Sequence, residues 1–175
     1  MKVMIVGGGG REHAILEKLR ENPRIDQIYA LPGNGGMQAH AQCVPIRATE
    51  IDKIVAFAVE NEIDLAVIGP DDPLILGVCD RLRAEGVRCF GPSKAAAEIE
   101  GSKSFAKTLM HKYGIPTANY EVFDSAESAY AYLDETAYPC VVKADGPALG
   151  KGVIVAQTRE EARKAVHSMM EEGVF

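Results

Sequence analysis

The fold of this chain is decided by its first residues, which read Lys2-Val3-Met4-Ile5-Val6-Gly7-Gly8-Gly9-Gly10-Arg11-Glu12-His13. The run 2–6 is mainly apolar and rich in β-branched residues, which is typical of a strand buried on both faces of a parallel sheet. A helical pattern follows the glycines, with a predicted core face of Ala14, Ile15 and Leu19. Asn22-Pro23 is expected to end that helix. These residues therefore predict a strand, a glycine turn and a helix.

The same alternation continues towards residue 92. Strands are predicted over 27–31, 64–68 and 87–90, and helices over 51–59 and 74–84. Thr49-Glu50-Ile51-Asp52 has the spacing of a capping box before the second helix. Strands that alternate with helices form parallel sheets covered on both faces, so this part is predicted to be a doubly wound α/β domain.

A connector and a smaller α+β unit are predicted for the rest of the chain. Helix-forming residues run from Ser93 to Tyr113, with an interruption at Gly101, and Gly114-Ile115-Pro116 stops them. Beyond them the pattern predicts a strand at 120–123, a helix at 125–136, strands at 139–143 and 153–156, and a last helix after a capping box at 158–161. A unit with so few strands buries its apolar surface poorly on its own. We therefore expect it to be part of a larger architecture.

Composition excludes several classes of protein. The 175 residues are 47% hydrophobic and 25% charged, as in ordinary globular domains. The net charge is −6 and Lys and Arg form no long run, so no nucleic-acid partner is expected. Apolar stretches fall short of the roughly 20 residues of a membrane span, and a cytoplasmic protein without membrane contact is predicted. The cysteines are far apart in sequence and are interpreted as buried thiols without a metal or redox role: Cys43, Cys79, Cys89 and Cys140.

The glycine turn at 7–10 is a candidate anion site. Glycines let a ligand approach the backbone, and the start of the following helix offers N–H groups and the positive end of its dipole. Arg11 could hold a phosphate, while Glu12 and His13 could bond hydroxyls or an amine. In a dinucleotide fingerprint the third glycine would stand at Glu12, and an acidic residue would follow about 20 positions on. Both are missing, so a nicotinamide enzyme is disfavoured.

Two further loops are predicted to meet this turn, because the carboxyl ends of parallel strands share one edge of the sheet. They are Pro32-Gly33-Asn34 and Gly69-Pro70-Asp71. Each alone is equally well explained as a plain turn. Three loops that combine glycine with hydrogen-bonding side chains favour a small, polar, anionic ligand.

A second candidate site spans residues 143–152. Lys143 ends an apolar strand, where its charge calls for an anionic partner. The glycine loop that follows contains Lys151 and could fold over phosphates through its N–H groups. Its spacing differs from a Walker A loop, and it leads into a strand instead of a helix. A β-hairpin flap that closes on a nucleotide fits better.

Five segments resemble the phosphoribosylamine-glycine ligase family of the ATP-grasp superfamily, in matching order and at matching spacing. They are Gly9-Gly10-Arg11-Glu12-His13-Ala14, Pro32-Gly33-Asn34-Gly35, Gly69-Pro70 with Pro73-Leu74, Glu100-Gly101-Ser102-Lys103, and Lys143-Ala144-Asp145-Gly146 with Gly150-Lys151-Gly152-Val153. One segment alone would leave the wider superfamily open. Together they cover essentially the whole chain and indicate this family.

The resemblance implies a reaction and a domain plan. ATP would phosphorylate the carboxylate of glycine, and the amine of 5-phosphoribosylamine would displace phosphate to give glycinamide ribonucleotide in purine synthesis. Residues 1–100 would form the pre-ATP-grasp domain, 101–120 the connector that opens the ATP-grasp domain, and 121–175 a partial lid. The expected partners are these small molecules, and a monomer is expected. The chain would be an inactive amino-terminal part of the enzyme; the alternative is a non-catalytic module that binds a sugar phosphate or nucleotide.

The resemblance also implies which residues bind. The expected substrate-binding residues are Gly9, Gly10, Arg11, Glu12, His13, Pro32, Gly33, Asn34, Gly69, Pro70 and Asp71. The expected ATP-binding residues are Lys103, Lys143, Gly150, Lys151 and Gly152. Mg²⁺ or Mn²⁺ would be held in the full-length enzyme by ligands outside this chain, so no metal ligand is expected within it. No catalytic side chain is assigned.

Three residues depart from the pattern of the resembled family. Gly8 stands where the family usually has Asn, Asp71 where it has Glu, and Pro147 is an unusual residue within the lid loop. The first two are small changes within the sugar site, and the effect of Pro147 on lid closure stays open. The other histidines, His40, His111 and His167, are expected to have ordinary solvated or half-buried roles.

Overall fold

The computed structural model of the chain describes residues 1–146 and 152–173. It contains two compact units, Met1–Gly101 and Ser102–Phe175. Each unit has its own hydrophobic core. Among the helices of the described ranges, none is both long enough and apolar enough to cross a bilayer.

The first unit is built on a parallel sheet with its first strand at the centre. Its elements are β1 (Lys2–Gly7), α1 (Gly10–Leu19), β2 (Gln27–Pro32), a 3₁₀ turn (Met37–Ala39), β3 (Gln42–Cys43), α2 (Ile51–Glu60), β4 (Leu65–Ile68), α3 (Asp71–Ile75), α4 (Val78–Ala84), β5 (Arg88–Phe90) and α5 (Lys94–Gly101). The strand order is β3-β2-β1-β4-β5, and every pairing is parallel.

Side chains of β1 alternate between two buried layers, because successive residues of a strand point to opposite faces. Val3 and Ile5 belong to one core together with Leu16 of α1. Met4 and Val6 belong to the other core, which contains residues of α2 and α4. The sheet is therefore covered by helices on both faces, which confirms the predicted doubly wound α/β fold.

The second unit packs helices on a two-stranded sheet. Its elements are α6 (Lys103–Lys112), α7 (Ala126–Glu135), β6 (Cys140–Lys143), β7 (Val153–Ala156), α8 (Arg159–Val166) and a π-helical turn (His167–Glu171). β6 and β7 are antiparallel. The buried core residues come from α7, β7 and α8: Ala129, Leu133, Ala156, Ala162 and Val166.

The predicted core face of the first helix is partly wrong. Leu16 is fully buried, whereas Ala14 is exposed and Ile15 and Leu19 are half-buried. Ile15 and Leu19 pack against the same core as Leu16, as expected for one helix face, whereas Ala14 lies off that face. Packing against β1 selects the face of Leu16.

Three predicted local structures also differ from the observed ones. The helix predicted over 74–84 is two helices, because Gly77 takes a left-handed conformation with φ of 88° between α3 and α4. Thr49 does not open α2; Glu50 is the residue before it, and its carboxylate accepts from the N–H of Arg47 at 2.9 Å. Residues 120–123 form no strand, since none of the described residues pairs with them. At the second predicted capping box, Thr158 Oγ1 does accept from the N–H of Glu161, at 3.3 Å.

We predict that Leu16→Ala destabilises the first unit by about 2–5 kcal/mol, because it removes a fully buried side chain and leaves a cavity. Ala14→Gln, at an exposed position of the same helix, should cost less than about 0.5 kcal/mol. Urea unfolding of both variants measures the difference. Equal losses would contradict the observed orientation of α1.

Candidate functional site

Three loops of the first unit lie side by side at one edge of its sheet. Gly7 is paired with Pro32 in the β1–β2 register, and Val6 is paired with Ile68 in the β1–β4 register. The N–H of Gly33 donates to Gly7 O at 3.2 Å, and the N–H of Gly69 donates to Val6 O at 3.1 Å. The loops that follow β1, β2 and β4 are thus brought together as the sequence predicted, on both sides of the central strand.

The side chain of Asn34 connects two of these loops by hydrogen bonds. Its Nδ2 donates to Gly8 O at 2.9 Å, which joins the loop after β2 to the glycine turn. Its Oδ1 accepts from the N–H groups of Gly36 and Met37 at 2.9 and 3.1 Å. The side chain therefore has a structural role, and its predicted contact with a substrate stays a prediction.

Glu12 points into the unit and is only 4% exposed. Its Oε2 accepts from the N–H of Gly9 at 2.6 Å, while Oε1 has no hydrogen-bond partner in the described part of the chain. The carboxylate lies against the backbone that follows β4, because a Cβ built on Gly69 would come within 2.2 Å of Glu12 Oε1. Contact between Glu12 and a substrate stays a prediction; its burial favours a supporting position behind the glycine turn.

The residues around Glu12 present polar groups outward. Gly9, Gly10 and Arg11 are exposed at the start of α1, where the first N–H groups of a helix lack an intrahelical acceptor. His13 is half-buried and packs over the loop after β2, since a Cβ on Gly36 would meet its ring at 2.5 Å. Its Nε2 lies 3.7 Å from Glu17 Oε1. The structure therefore groups Arg11 and His13 with backbone donors beside a helix start.

The third loop continues directly into α3. Pro70 precedes this helix, and Asp71 is its exposed first residue. Its carboxylate lies at the positive end of a helix dipole, where negative charge is favourable. With the positive charge of Arg11, the edge of the sheet can hold a phosphate at one place and a hydroxyl or amine at another.

We predict that Gly69→Ala destabilises the first unit by about 1–3 kcal/mol, because the new methyl group would overlap the buried carboxylate of Glu12. Gly35→Ala is the matched control, since nothing lies within 4 Å of its Cβ position. The double variant Gly69→Ala with Glu12→Ala should cost less than the sum of its single changes. Strict additivity, measured by urea unfolding, would contradict the contact.

In the second unit, two of the three lysines predicted to bind ATP lie among the described residues and have different surroundings. Lys143 is exposed at the end of β6, where it pairs with Val153 of β7. Lys103 is half-buried at the first position of α6, and its Nζ donates to Gly146 O. The N–H of Ala144 donates to Gly152 O at 2.9 Å, so the hairpin continues one residue beyond each strand. Pro147, Gly150 and Lys151 lie outside the described residues.

Asp145 joins the end of β6 to the start of α6, a connection that the sequence analysis missed. Its Oδ1 accepts from the N–H groups of Lys103 and Ser104 at 2.6 and 3.1 Å. Its Oδ2 accepts from the hydroxyls of Ser104 and Ser102 at 2.6 and 3.1 Å. A carboxylate at the start of a helix is stabilised by its dipole and its unpaired N–H groups. Asp145 thereby holds the segments that carry both lysines.

These hydrogen bonds change the acidity of Asp145. Partial burial raises its pKa, but the bonds from Ser104, Lys103 and Ser102 outweigh that effect and lower the pKa from 3.8 to about 2. Because the folded pKa is depressed, the stabilisation is complete above about pH 4 and is lost as the pH falls towards 2.

We predict that Asp145→Asn removes part of the acid sensitivity of the second unit. The difference in unfolding free energy between the native chain and this variant should be constant above about pH 4 and shrink towards pH 2. Asp124→Asn, at an exposed position of the same unit, should leave the profile unchanged. If the difference in unfolding free energy does not vary with pH, the hydrogen bonds to the Asp145 carboxylate do not lower its pKa.

Residues 1–146 and 152–173 contain no group of three or more His, Cys, Asp or Glu side chains placed to hold a metal ion. The oxygen ligands that Mg²⁺ prefers do not converge near Lys103 or Lys143 among these residues, because Asp145 is already bonded to the start of α6. The described side chains around the two lysines therefore do not fit a metal site.

Two family models match the chain. The model described as phosphoribosylglycinamide synthetase, N domain, matches residues 1–100. The model described as phosphoribosylglycinamide synthetase, ATP-grasp (A) domain, matches residues 101–175.

Curated relatives agree with the family models. The phosphoribosylamine–glycine ligases of Halalkalibacterium halodurans and Caldanaerobacter subterraneus are 50% and 49% identical to this chain over 175 residues. The chain is covered completely in both comparisons, but it spans only 41% and 42% of the length of these relatives.

Solved structures show the same likeness. A phosphoribosylamine–glycine ligase from Thermotoga maritima matches with a TM-score of 0.76 and 32% identity, over 94% of this chain and 38% of that one. A biotin carboxylase from Campylobacter jejuni, crystallised with a β,γ-ATP ligand, matches with a TM-score of 0.77 over 98% of this chain and 43% of that one. Its identity is 20%, so it shows the shared fold alone.

The doubly wound first unit, followed by an α+β unit with a lysine at the end of a hairpin strand, defines an ATP-grasp protein. Within that class, the chain belongs to the phosphoribosylglycinamide synthetase family. The resemblance inferred from its five segments is confirmed.

Proposed function

We propose that the protein formed with these residues ligates glycine to 5-phosphoribosylamine at the expense of ATP. A carboxylate oxygen of glycine attacks the γ-phosphorus of ATP, which gives glycyl phosphate and ADP. The amine of the sugar then attacks the carbonyl carbon, phosphate leaves, and glycinamide ribonucleotide forms. Support comes from relatives about 50% identical over the whole chain and from the loops grouped at the sheet edge.

The observation that carries this proposal is the meeting of three polar loops at the carboxyl edge of the first sheet. In doubly wound folds ligands bind at this edge, where the strand order reverses. The first N–H groups of α1 and the guanidinium of Arg11 suit the phosphate of the sugar. His13 and Asp71 suit its hydroxyl and amine groups.

The second unit would contribute to the ATP site. Lys143, at the end of its hairpin strand, would place a positive charge on transferring phosphate oxygens, and Lys103 would add a second. Positioning and electrostatic stabilisation supply most of the acceleration in phosphoryl transfer, so no side-chain nucleophile is needed. The loop between β6 and β7 would exclude water, which would otherwise destroy the acyl phosphate.

We further propose that the chain alone is inactive. It spans about two-fifths of its relatives, and its described residues hold no metal-ligating cluster. Mg²⁺ or Mn²⁺ would then bind to residues of the full-length protein outside this chain and neutralise phosphate charge there. As part of the same proposal the protein is a monomer, and it works in the cytoplasm.

The proposal predicts that the 175-residue chain shows no glycine-dependent release of ADP. A full-length protein that contains these residues should show it, and Lys143→Ala should lower its kcat/KM for ATP by about 100-fold or more, because a phosphate-stabilising charge is lost. The KM for 5-phosphoribosylamine should change far less. Lys112→Ala, an exposed lysine of the same unit, is the control.

Three outcomes would contradict this assignment. Turnover by the 175-residue chain would show that the remaining part of the protein is dispensable. If Lys143→Ala impairs the use of ATP and of 5-phosphoribosylamine equally, the second unit does not contribute to the ATP site. Binding of the sugar phosphate without any turnover by the full-length protein would favour the non-catalytic module.

A further inference from the structure

Two cysteines of the first unit lie in direct contact. Cys79 is in α4 and Cys89 is in β5, and their Sγ atoms are 3.2 Å apart. A disulfide has an S–S distance of about 2.05 Å, so the sulfurs need to approach by roughly 1 Å. The sequence analysis, which expected four separate buried thiols, missed this contact because the fold joins residues that are ten positions apart.

One of these cysteines is partly exposed. β5 is an edge strand, and Cys89 is half-buried there. It lines an open surface depression of about 400 Å³ together with Arg83, Gly86, Val87 and Arg88. Cys79 is fully buried behind it. Cys89 is therefore the more accessible residue of the pair, and its sulfur is in contact with that of Cys79.

The surroundings favour loss of one proton from the pair. The hydrogen bond from Cys89 lowers the pKa of Cys79; burial and Asp80 oppose this shift, and the positive charge of Arg83 assists it. The same hydrogen bond and burial raise the pKa of Cys89. The pair thus holds one thiolate, which these directions place on Cys79, hydrogen-bonded to the thiol of Cys89. Thiolates, not thiols, attack peroxides.

We propose that Cys79 and Cys89 form a reversible intramolecular disulfide when the protein meets hydrogen peroxide. The thiolate attacks one peroxide oxygen, the O–O bond breaks, and a sulfenic acid and hydroxide form. The second sulfur then attacks the sulfenic sulfur, the S–S bond forms, and hydroxide leaves and takes up the remaining proton as water. Two electrons pass from the two sulfurs to one peroxide molecule.

The bond would tie α4 to β5 at the point where the next loop begins. Arg83 donates to Cys89 O and Gly91 O at 3.2 and 2.6 Å, so this loop is already held to α4. A Cβ built on Gly91 would come within 2.6 Å of Cys79 Sγ, which shows how closely the sulfur packs against the loop. The disulfide would add a covalent bond to that contact. The proposal is independent of the ligase function.

Tryptic digestion tests the disulfide directly, because it leaves the two cysteines in separate peptides, residues 54–81 and 89–94. The 175-residue chain is treated with hydrogen peroxide, alkylated, digested and analysed by mass spectrometry. We expect a linked 54–81/89–94 pair, a mass lower by about 2 Da than the reduced chain, and loss of two of the four alkylatable thiols. Dithiothreitol should restore all four. Cys43 and Cys140 are the internal controls and should stay alkylatable.

Variants identify the intermediate. In Cys79→Ser, peroxide should leave Cys89 as a sulfenic acid that dimedone labels, whereas the native chain should be labelled far less. Unfolding in guanidinium chloride before oxidation should abolish the preference for the 79–89 pair. The proposal is overturned if both peptides stay unlinked and fully alkylated. It is equally overturned if links to Cys43 or Cys140 are as abundant, or if Cys89 passes to sulfinic acid without linking.

Discussion

The carboxylate of Glu12 lies inside the first unit, between the ends of β1 and β4, and the glycine turn takes its shape around that side chain. Burying a carboxylate is costly, and here one backbone N–H and the positive end of α1 compensate for it. The side chain leaves no room for a Cβ at Gly7, Gly9 or Gly69. This contact explains why two loops that are far apart in sequence both place glycine beside it.

The position of Glu12 determines which groups face outward. Because the carboxylate bonds to Gly9, the chain turns so that Gly10 and Arg11 are exposed at the start of α1. Asn34 fixes the neighbouring loop to Gly8 in the same region. In the second unit Asp145 has a comparable function, since it bonds to the start of α6 and holds Lys103 near the end of β6. In both units a carboxylate accepts from backbone N–H groups beside a helix start, next to the residues that we propose bind anions.

Sequence patterns predicted the parts of the fold that depend on local order. The apolar run at 2–6, the glycine turn and the alternation of strands and helices led to the parallel sheet, and parallel strands bring their carboxyl ends to one edge. The core face of α1 was predicted correctly at Ile15 and Leu19, wrongly at Ala14, and without the fully buried Leu16. The bonds of Asp145 and the contact of Cys79 with Cys89 were also missed. Each joins residues whose proximity arises only from tertiary packing, and no spacing motif marks them.

The account rests on anion binding at the carboxyl edge of the first sheet. An NMR titration of the ¹⁵N-labelled chain with ribose 5-phosphate, a stable stand-in for the phosphoribosyl amine, tests this most directly. The account predicts that the largest amide shifts cluster at Gly10 and Arg11, at Gly33 and Asn34, and at Gly69. Saturable shifts confined to other parts of the chain, or none at the highest sugar phosphate concentration, would contradict it.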